Sequence, residues 1–378
     1  MRRPGRRTRA RRSQTRTRLV VIGPIPPPYH GVTVSTQLLV CSETLKRRFD
    51  LEHLDTSDRR DGRHNIGRWD LENVAGGVSA AIRLLVRLRG RRGVVYLPIS
   101  QNVPGFLRDS LYIHLAAMCR WKVAVHLRGS DLRDVYRSQP AWMRLWMRFT
   151  LRRVTSMALM AESMRGLFEG LIANERIAVV PNGTPEIALP AVPTDPQQVL
   201  FYSSLRRRKG IIEAVDTALE VLRERPAARF VFVGDWEDDE LEREVRARAC
   251  EADGQIQFRP SVTGDERLAL FASSSMLLFP PVQPEGHPRV VLAALAAGLP
   301  VIATDRGAIA ETIVEGESGF VLADALPHEL ADRVLALLGD RGLRDRMSSA
   351  ARSRYEDRYT LEVTEGAFAD WIAGLTRV

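Results

Sequence analysis

Pro284-Glu285-Gly286-His287-Pro288-Arg289-Val290-Val291-Leu292-Ala293-Ala294-Leu295-Ala296-Ala297-Gly298-Leu299-Pro300-Val301-Ile302-Ala303-Thr304 reads as a loop, a helix and a short buried strand. The helix is expected to start near Pro288, because proline fits the opening of a helix and an apolar run follows it. Pro300–Ala303 is the strand, and the apolar run Met276–Phe279 is the strand before the loop. Working outward, Ile256–Phe258, Phe230–Val233, Val199–Ser203 and Phe320–Leu322 repeat the strand pattern. Ile211–Arg223 and an acidic segment from about Glu237 repeat the helical one. Alternating strands and helices imply a mostly parallel, doubly wound sheet.

The first half reads the same way. Leu19–Gly23, Gly93–Pro98, Val123–Leu127, Ser156–Met160 and Ile177–Val180 are short apolar runs, with helical periods at Val78–Leu88 and Trp142–Arg153. Pro181-Asn182-Gly183 closes this half with a turn, and four prolines follow in 184–197. The fold class is therefore α/β, with two Rossmann-like doubly wound domains facing across a cleft. The expected organisation is an Arg-rich tail at 1–18, a domain at 19–185, a linker at 186–197, a second domain at 198–355 and a C-terminal segment at 356–378.

Charge narrows the function classes. The chain of 378 residues has a net charge of +9, yet residues 1–18 alone hold nine arginines and no acid. Without them the chain is neutral, which argues against a nucleic-acid-binding body. The tail reads as a disordered extension or as an arm for anionic surfaces. Three scattered cysteines form neither a disulfide framework nor a metal knuckle, and the seven histidines show no ligand spacing. No apolar run is long enough to span a bilayer and no signal-like segment opens the chain, so the expected location is cytoplasmic, with peripheral attachment to the inner face of the cell membrane left open.

The stretch from Pro284 to Thr304 resembles the donor-binding signature of glycosyltransferase family 4, and Gly316–Val321 extends the likeness. Ser203-Ser204-Leu205-Arg206-Arg207-Arg208-Lys209-Gly210 resembles that family's phosphate-binding turn. Pro26–Gly31 is similar to its glycine loop, and Tyr96–Gln101 with Gly105–Asp109 is similar to polysaccharide-building members. The resemblance covers residue 19 to the C-terminus. It implies a GT-B enzyme that moves a sugar from a nucleotide diphosphate sugar to a glycan or lipid-linked acceptor, with retention, the first domain being the acceptor side. It also implies that the C-terminal helix packs back on the first domain. It puts the Glu285 carboxylate on the donor sugar, and Lys209 and Arg206 on the diphosphate. Only three lysines stand against 52 arginines, so a lysine before Gly210 is not background. Gly31, Ser204, Gly286, His287 and Val290 complete the donor-binding set. No cofactor and no metal are expected, since cations and N–H groups can stabilise the leaving diphosphate.

Two positions depart from the family pattern. His126 and Arg128 occupy the His-x-His positions of the catalytic element, and Arg128 cannot act as a base but can hold a phosphate or carboxylate. His126 reads equally as a catalytic group or a core histidine. Ala293 stands where a ribose-binding glutamate is expected, and restoring the acid should tighten nucleotide binding if the cleft has room. A degenerate protein that binds a glycan, nucleotide or partner without turnover is the alternative; a sugar-nucleotide epimerase is a lesser one. Asp235–Glu240 reads as an acidic helix start rather than a metal site. The Trp142–Phe149 stripe reads as helix core more readily than as a membrane face.

Overall fold

The computed structural model describes residues 16–27, 29–57, 71–252 and 254–377. Six strands build the first sheet: β1 (Thr17–Gly23), β2 (Phe49–Asp55), β3 (Gly93–Pro98), β4 (Lys122–His126), β5 (Ser156–Leu159) and β6 (Ile177–Val179). Six more build the second: β7 (Gln198–Tyr202), β8 (Arg229–Val233), β9 (Ile256–Arg259), β10 (Met276–Phe279), β11 (Val301–Thr304) and β12 (Gly319–Leu322). The spatial orders are β2-β1-β3-β4-β5-β6 and β12-β11-β10-β7-β8-β9. Every strand pairing within both sheets is parallel.

Parallel strands need crossover helices, and helices on both faces bury both sides of each strand. The central strands therefore read as continuous apolar runs, such as Val94, Val95 and Tyr96, all essentially buried. The strand order reverses between β1 and β3 in the first sheet, and between β7 and β10 in the second. Loops leaving the carboxyl ends of such strand pairs splay apart and leave a crevice for ligands.

Three expectations shift. β1 begins at Thr17, so the end of the Arg-rich segment belongs to the fold: Arg18 pairs with Glu52 at 2.6 Å and lies over the Trp121 ring. Residues 1–15 of that segment lie outside the described residues. β2, Phe-Asp-Leu-Glu-His-Leu-Asp, is absent from the sequence reading because an edge strand alternates apolar and polar residues rather than forming an apolar run. Helix Arg341–Arg358 closes the second domain, and the chain crosses back at Tyr359–Thr360, where Thr184 N–H donates to the Tyr359 carbonyl at 2.9 Å. The following helix, Leu361–Gly374, lies on the first sheet. Phe368 meets Tyr96 edge-on, Trp371 Nε1 donates to Ser156 Oγ at 2.9 Å, and Arg48 pairs with Asp370 at 2.7 Å.

Candidate active site

The loops after β7 and β10 meet at the reversal point of the second sheet. The first runs through a 3-10 turn, Arg207–Lys209, into helix Ile211–Glu224; the second carries Glu285 and Gly286 into helix Arg289–Ala296. Gly210 makes the turn possible. Its φ is +76°, and a Cβ there would sit 1.8 Å from the Pro280 carbonyl oxygen, so the two loops touch backbone to backbone. That contact brings Lys209 Nζ to both Glu285 carboxylate oxygens, at 2.6 and 2.7 Å. The side chains keep 20% and 9% of their surface exposed. A half-buried ammonium and a nearly buried carboxylate thus stand together where the helix N-terminus also favours anions.

The neighbouring basic residues divide. Arg206 is exposed at the opening of the turn, beside half-buried Ser204. Arg207 turns away to Glu244 at 2.5 Å. Arg208 faces the first domain: its guanidinium lies 3.9 Å from Asp131 and 3.5 Å from the Pro284 carbonyl oxygen.

The first domain presses its β4 loop against the Glu285 loop. Ser130 Oγ donates to the Pro284 carbonyl at 3.0 Å. Gly286 has no room for a side chain, because a Cβ would meet Met160 Cε at 2.5 Å and the Arg128 carbonyl oxygen at 2.8 Å. Behind this contact Arg128 donates to Asn182 Oδ1 at 2.5 Å and to the Tyr96 hydroxyl at 3.0 Å. Asn182 then clamps His287: its N–H donates to Nδ1 at 3.1 Å and its side-chain amide donates to the His287 carbonyl at 3.0 Å. Arg289 donates to Ser35 Oγ at 2.7 Å and to the Gly183 carbonyl at 3.3 Å.

His126 does not reach this cleft. It is fully buried, with Nδ1 3.3 Å from the Tyr96 hydroxyl and its ring edge-on to Trp371 of the C-terminal helix. A group with no exposed surface cannot take a proton from a substrate in this conformation, so the core reading of His126 replaces the catalytic one. Burial, with Arg128 adding repulsion, drives its pKa well below the ordinary value. His287 is also buried and falls to about 3, chiefly through desolvation and then through Arg289 and Arg128. Both therefore stay neutral at neutral pH, and the Asn182 bond to Nδ1 puts the His287 proton on Nε2.

A pH dependence follows. The folded protein refuses protons that an unfolded histidine accepts from about pH 6.5 downward. Stability from this source is complete above that value and is lost as pH falls toward the folded pKa, about 3 for His287. Each histidine should contribute a slope of about 1.4 kcal/mol per pH unit below pH 6. Urea melts at pH 7, 6 and 5 measure it, and His287→Gln should remove one share; an unchanged slope in that variant would contradict the assignment.

Gly31 opens helix Gly31–Cys41, and a Cβ there would meet no protein atom within 4 Å. His30 precedes it as an exposed N-cap residue. Val290 packs toward the core, leaving its backbone as the part able to face a ligand. Ala293 is 0% exposed and sits among Val291, Leu292, Ala294 and Leu295, so the room that a restored glutamate needs is taken. Asp238 caps helix Asp239–Ala249 by accepting from Leu241 N–H at 2.8 Å, in keeping with an acidic helix start. Among the described residues no group of three or more acids, histidines or cysteines is placed to hold a metal ion. The sequence reading missed Arg289, Asn182, Ser130 and Arg208; Arg289 stood inside the quoted motif, but nothing in its spacing shows that it turns toward the other domain.

Comparisons with known proteins come to bear on this geometry. Residues 186–354 match the family model described as "Glycosyl transferases group 1". The spore coat protein SA of Bacillus subtilis is 29% identical over 168 residues, 43% of this chain and 44% of that protein. The Vi polysaccharide biosynthesis protein VipC/TviE of Salmonella typhi is 32% identical over 169 residues, 43% of this chain and 28% of that protein. The matched segment thus spans less than half of either relative. The solved structure of Anabaena HepE in complex with UDP superposes with a TM-score of 0.72 at 13% identity, covering 94% of this chain and 100% of that one. The chain therefore has the two-domain GT-B fold, and the matched segment, which holds Lys209 and Glu285, is similar to the glycosyl transferases group 1.

Proposed function

We propose that the protein is a glycosyltransferase that uses a nucleotide diphosphate sugar, with a glycan or lipid-linked acceptor and retention at the sugar carbon. The observation that carries this reading is the Lys209–Glu285 pair at the strand reversal of the second sheet, inside the matched region. Glu285 can accept sugar hydroxyls, and Lys209 with exposed Arg206 can neutralise the departing diphosphate. Fixed cations and helix N–H groups make the proposed reaction independent of a metal ion. The likeness to a polysaccharide biosynthesis protein supports a glycan acceptor. Arg128 and buried Ala293 favour, as a second reading, a protein that binds donor without turnover.

Nucleoside diphosphates should stabilise the protein by about 2.7 kcal/mol at 100 times their dissociation constant, with the same shift in excess chelator. A thermal-shift series measures this, and no response at millimolar nucleotide would sink the donor site. A product assay with the responding donor separates turnover from binding alone.

We also propose that one face of the first domain rests on an anionic membrane surface. Helices Leu71–Arg87, Val103–Met118 and Ala141–Arg153 cover one side of the first sheet. The last buries Met143, Met147 and Leu151 but exposes Trp142 and Leu145 by 67% and 69%, so the core reading of the stripe holds for only part of it. Ile82, Val86 and Met118 extend the exposed apolar face on the neighbouring helices. Helix Ala141–Arg153 holds four arginines and no acid, which suits anionic headgroups. No described helix is long and apolar enough to cross a membrane. Replacing Trp142 and Leu145 by serine should lower co-sedimentation with phosphatidylserine vesicles roughly ten-fold or more, by the transfer energy of two large side chains, and leave the nucleotide shift unchanged. Equal sedimentation of variant and parent would exclude this face.

A further inference from the structure

Two cations stand behind the cleft with neutral partners only. Arg128 binds Asn182 and the Tyr96 hydroxyl, while Arg289 binds Ser35 and the Gly183 carbonyl. Ser35 and Asn182 are themselves 3.5 Å apart, so two uncharged groups link the guanidinium heads. The charges that act on Arg289 are Arg128 and Arg267, both of its own sign. The Nε atoms of Arg128 and Arg289 are buried and have no hydrogen-bond partner among the described residues. Both side chains line one cavity together with Ser35, Gly183 and Thr364. Glu365 lines it too and accepts from Ser42 Oγ at 2.5 Å, but among the described residues no hydrogen bond or ion pair joins it to either guanidinium.

Like charges gathered in a poorly solvated site are unfavourable unless an opposite charge joins them. The planar guanidinium, with five donors, suits a phosphate or carboxylate. In the proposed function the donor diphosphate takes its cations from the Lys209 turn, and neither Arg128 nor Arg289 bonds to Lys209 or Glu285 among the described residues. We propose that Arg128 and Arg289 form a second oxyanion site, which holds a phosphate or carboxylate carried by the acceptor. The acceptor part of this inference rests on the glycosyl-transfer reading; the anion site itself does not.

Arg289 also ties the two domains through Ser35, so a purely structural strut is the competing account. Inorganic phosphate separates the two. Titrated into protein already saturated with UDP, phosphate should raise the melting temperature further. Arg289→Met should weaken phosphate binding roughly ten-fold, the worth of one charge-assisted contact, and change UDP binding far less. Arg128→Met serves as the second variant should the first not fold. Glucose 6-phosphate and glucuronate, tested against glucose under the same conditions, tell which oxyanion is preferred; either one binding better than glucose supports the site. The proposal is overturned if saturating UDP abolishes the phosphate effect, if the variants bind phosphate like the parent, or if all three sugars behave alike. A protein that binds phosphate but never UDP would refute the donor reading and leave this site standing.

Discussion

Lys209→Ala should lower turnover by about 30- to 1000-fold, which corresponds to roughly 2–4 kcal/mol of lost transition-state stabilisation. In the proposed reaction the lysine faces the charge that develops on a leaving diphosphate, and its removal also strands the Glu285 carboxylate. That carboxylate is 9% exposed and takes both its close bonds from Lys209. Breaking a pair this buried from one side should cost about 2–3 kcal/mol of stability as well, less than for a fully dry pair because Lys209 keeps contact with water. Arg207→Ala is the control. Its own side chain is half exposed and its partner Glu244 a third exposed, so the change should leave stability nearly unchanged and the rate within a few-fold. Steady-state rates at saturating donor and urea melts of both variants give the comparison. Equal effects of the two substitutions would remove the phosphate from this turn.

Ala293→Glu should destabilise the protein by about 3–5 kcal/mol without improving nucleotide affinity. The sequence alone pointed the other way, toward a worn site that a carboxylate would repair. The structure places Ala293 at 0% exposure, in a helix whose residues 291–296 are all buried. A glutamate there adds volume to a buried apolar cluster and takes a carboxylate out of water. The carboxyl group would respond by holding its proton, which limits the cost to the range given. Melting temperatures with and without UDP decide the matter. A variant with the parent's melting temperature and tighter UDP binding would show that the pocket still reaches position 293.

Both outcomes turn on where legibility stopped. Apolar runs and turn residues were sufficient for eleven of the twelve described strands, because most of them are covered on both faces and are apolar along their length. β2 escaped because Asp50, Glu52, His53 and Asp55 interrupt its seven residues, so no apolar run marks it. The turn at Lys209 and the loop at Glu285 were also readable, since glycine beside charged residues after a strand has few other uses. Spacing along the chain, however, says nothing about which loops the strand order brings together. Residues 209 and 285 meet because β7 and β10 are neighbours in the sheet, and Gly210 lets their loops touch.

Orientation was likewise beyond the sequence. His126 and Arg128 share a strand face by alternation, yet the C-terminal helix covers the histidine with Trp371 while the arginine extends to Asn182. Trp142 and Met143 are adjacent apolar residues with opposite fates, because helix rotation against the sheet, rather than hydrophobicity, selects which one is buried. The sequence by itself determined the two doubly wound α/β sheets and the residue types at the turns after β7 and β10, since these depend on local pattern. Only the tertiary structure decided that Arg208 and Arg289 face the first domain, that His126 and Ala293 are core, and that two arginines share one cavity, because each of these depends on packing between segments far apart in the chain.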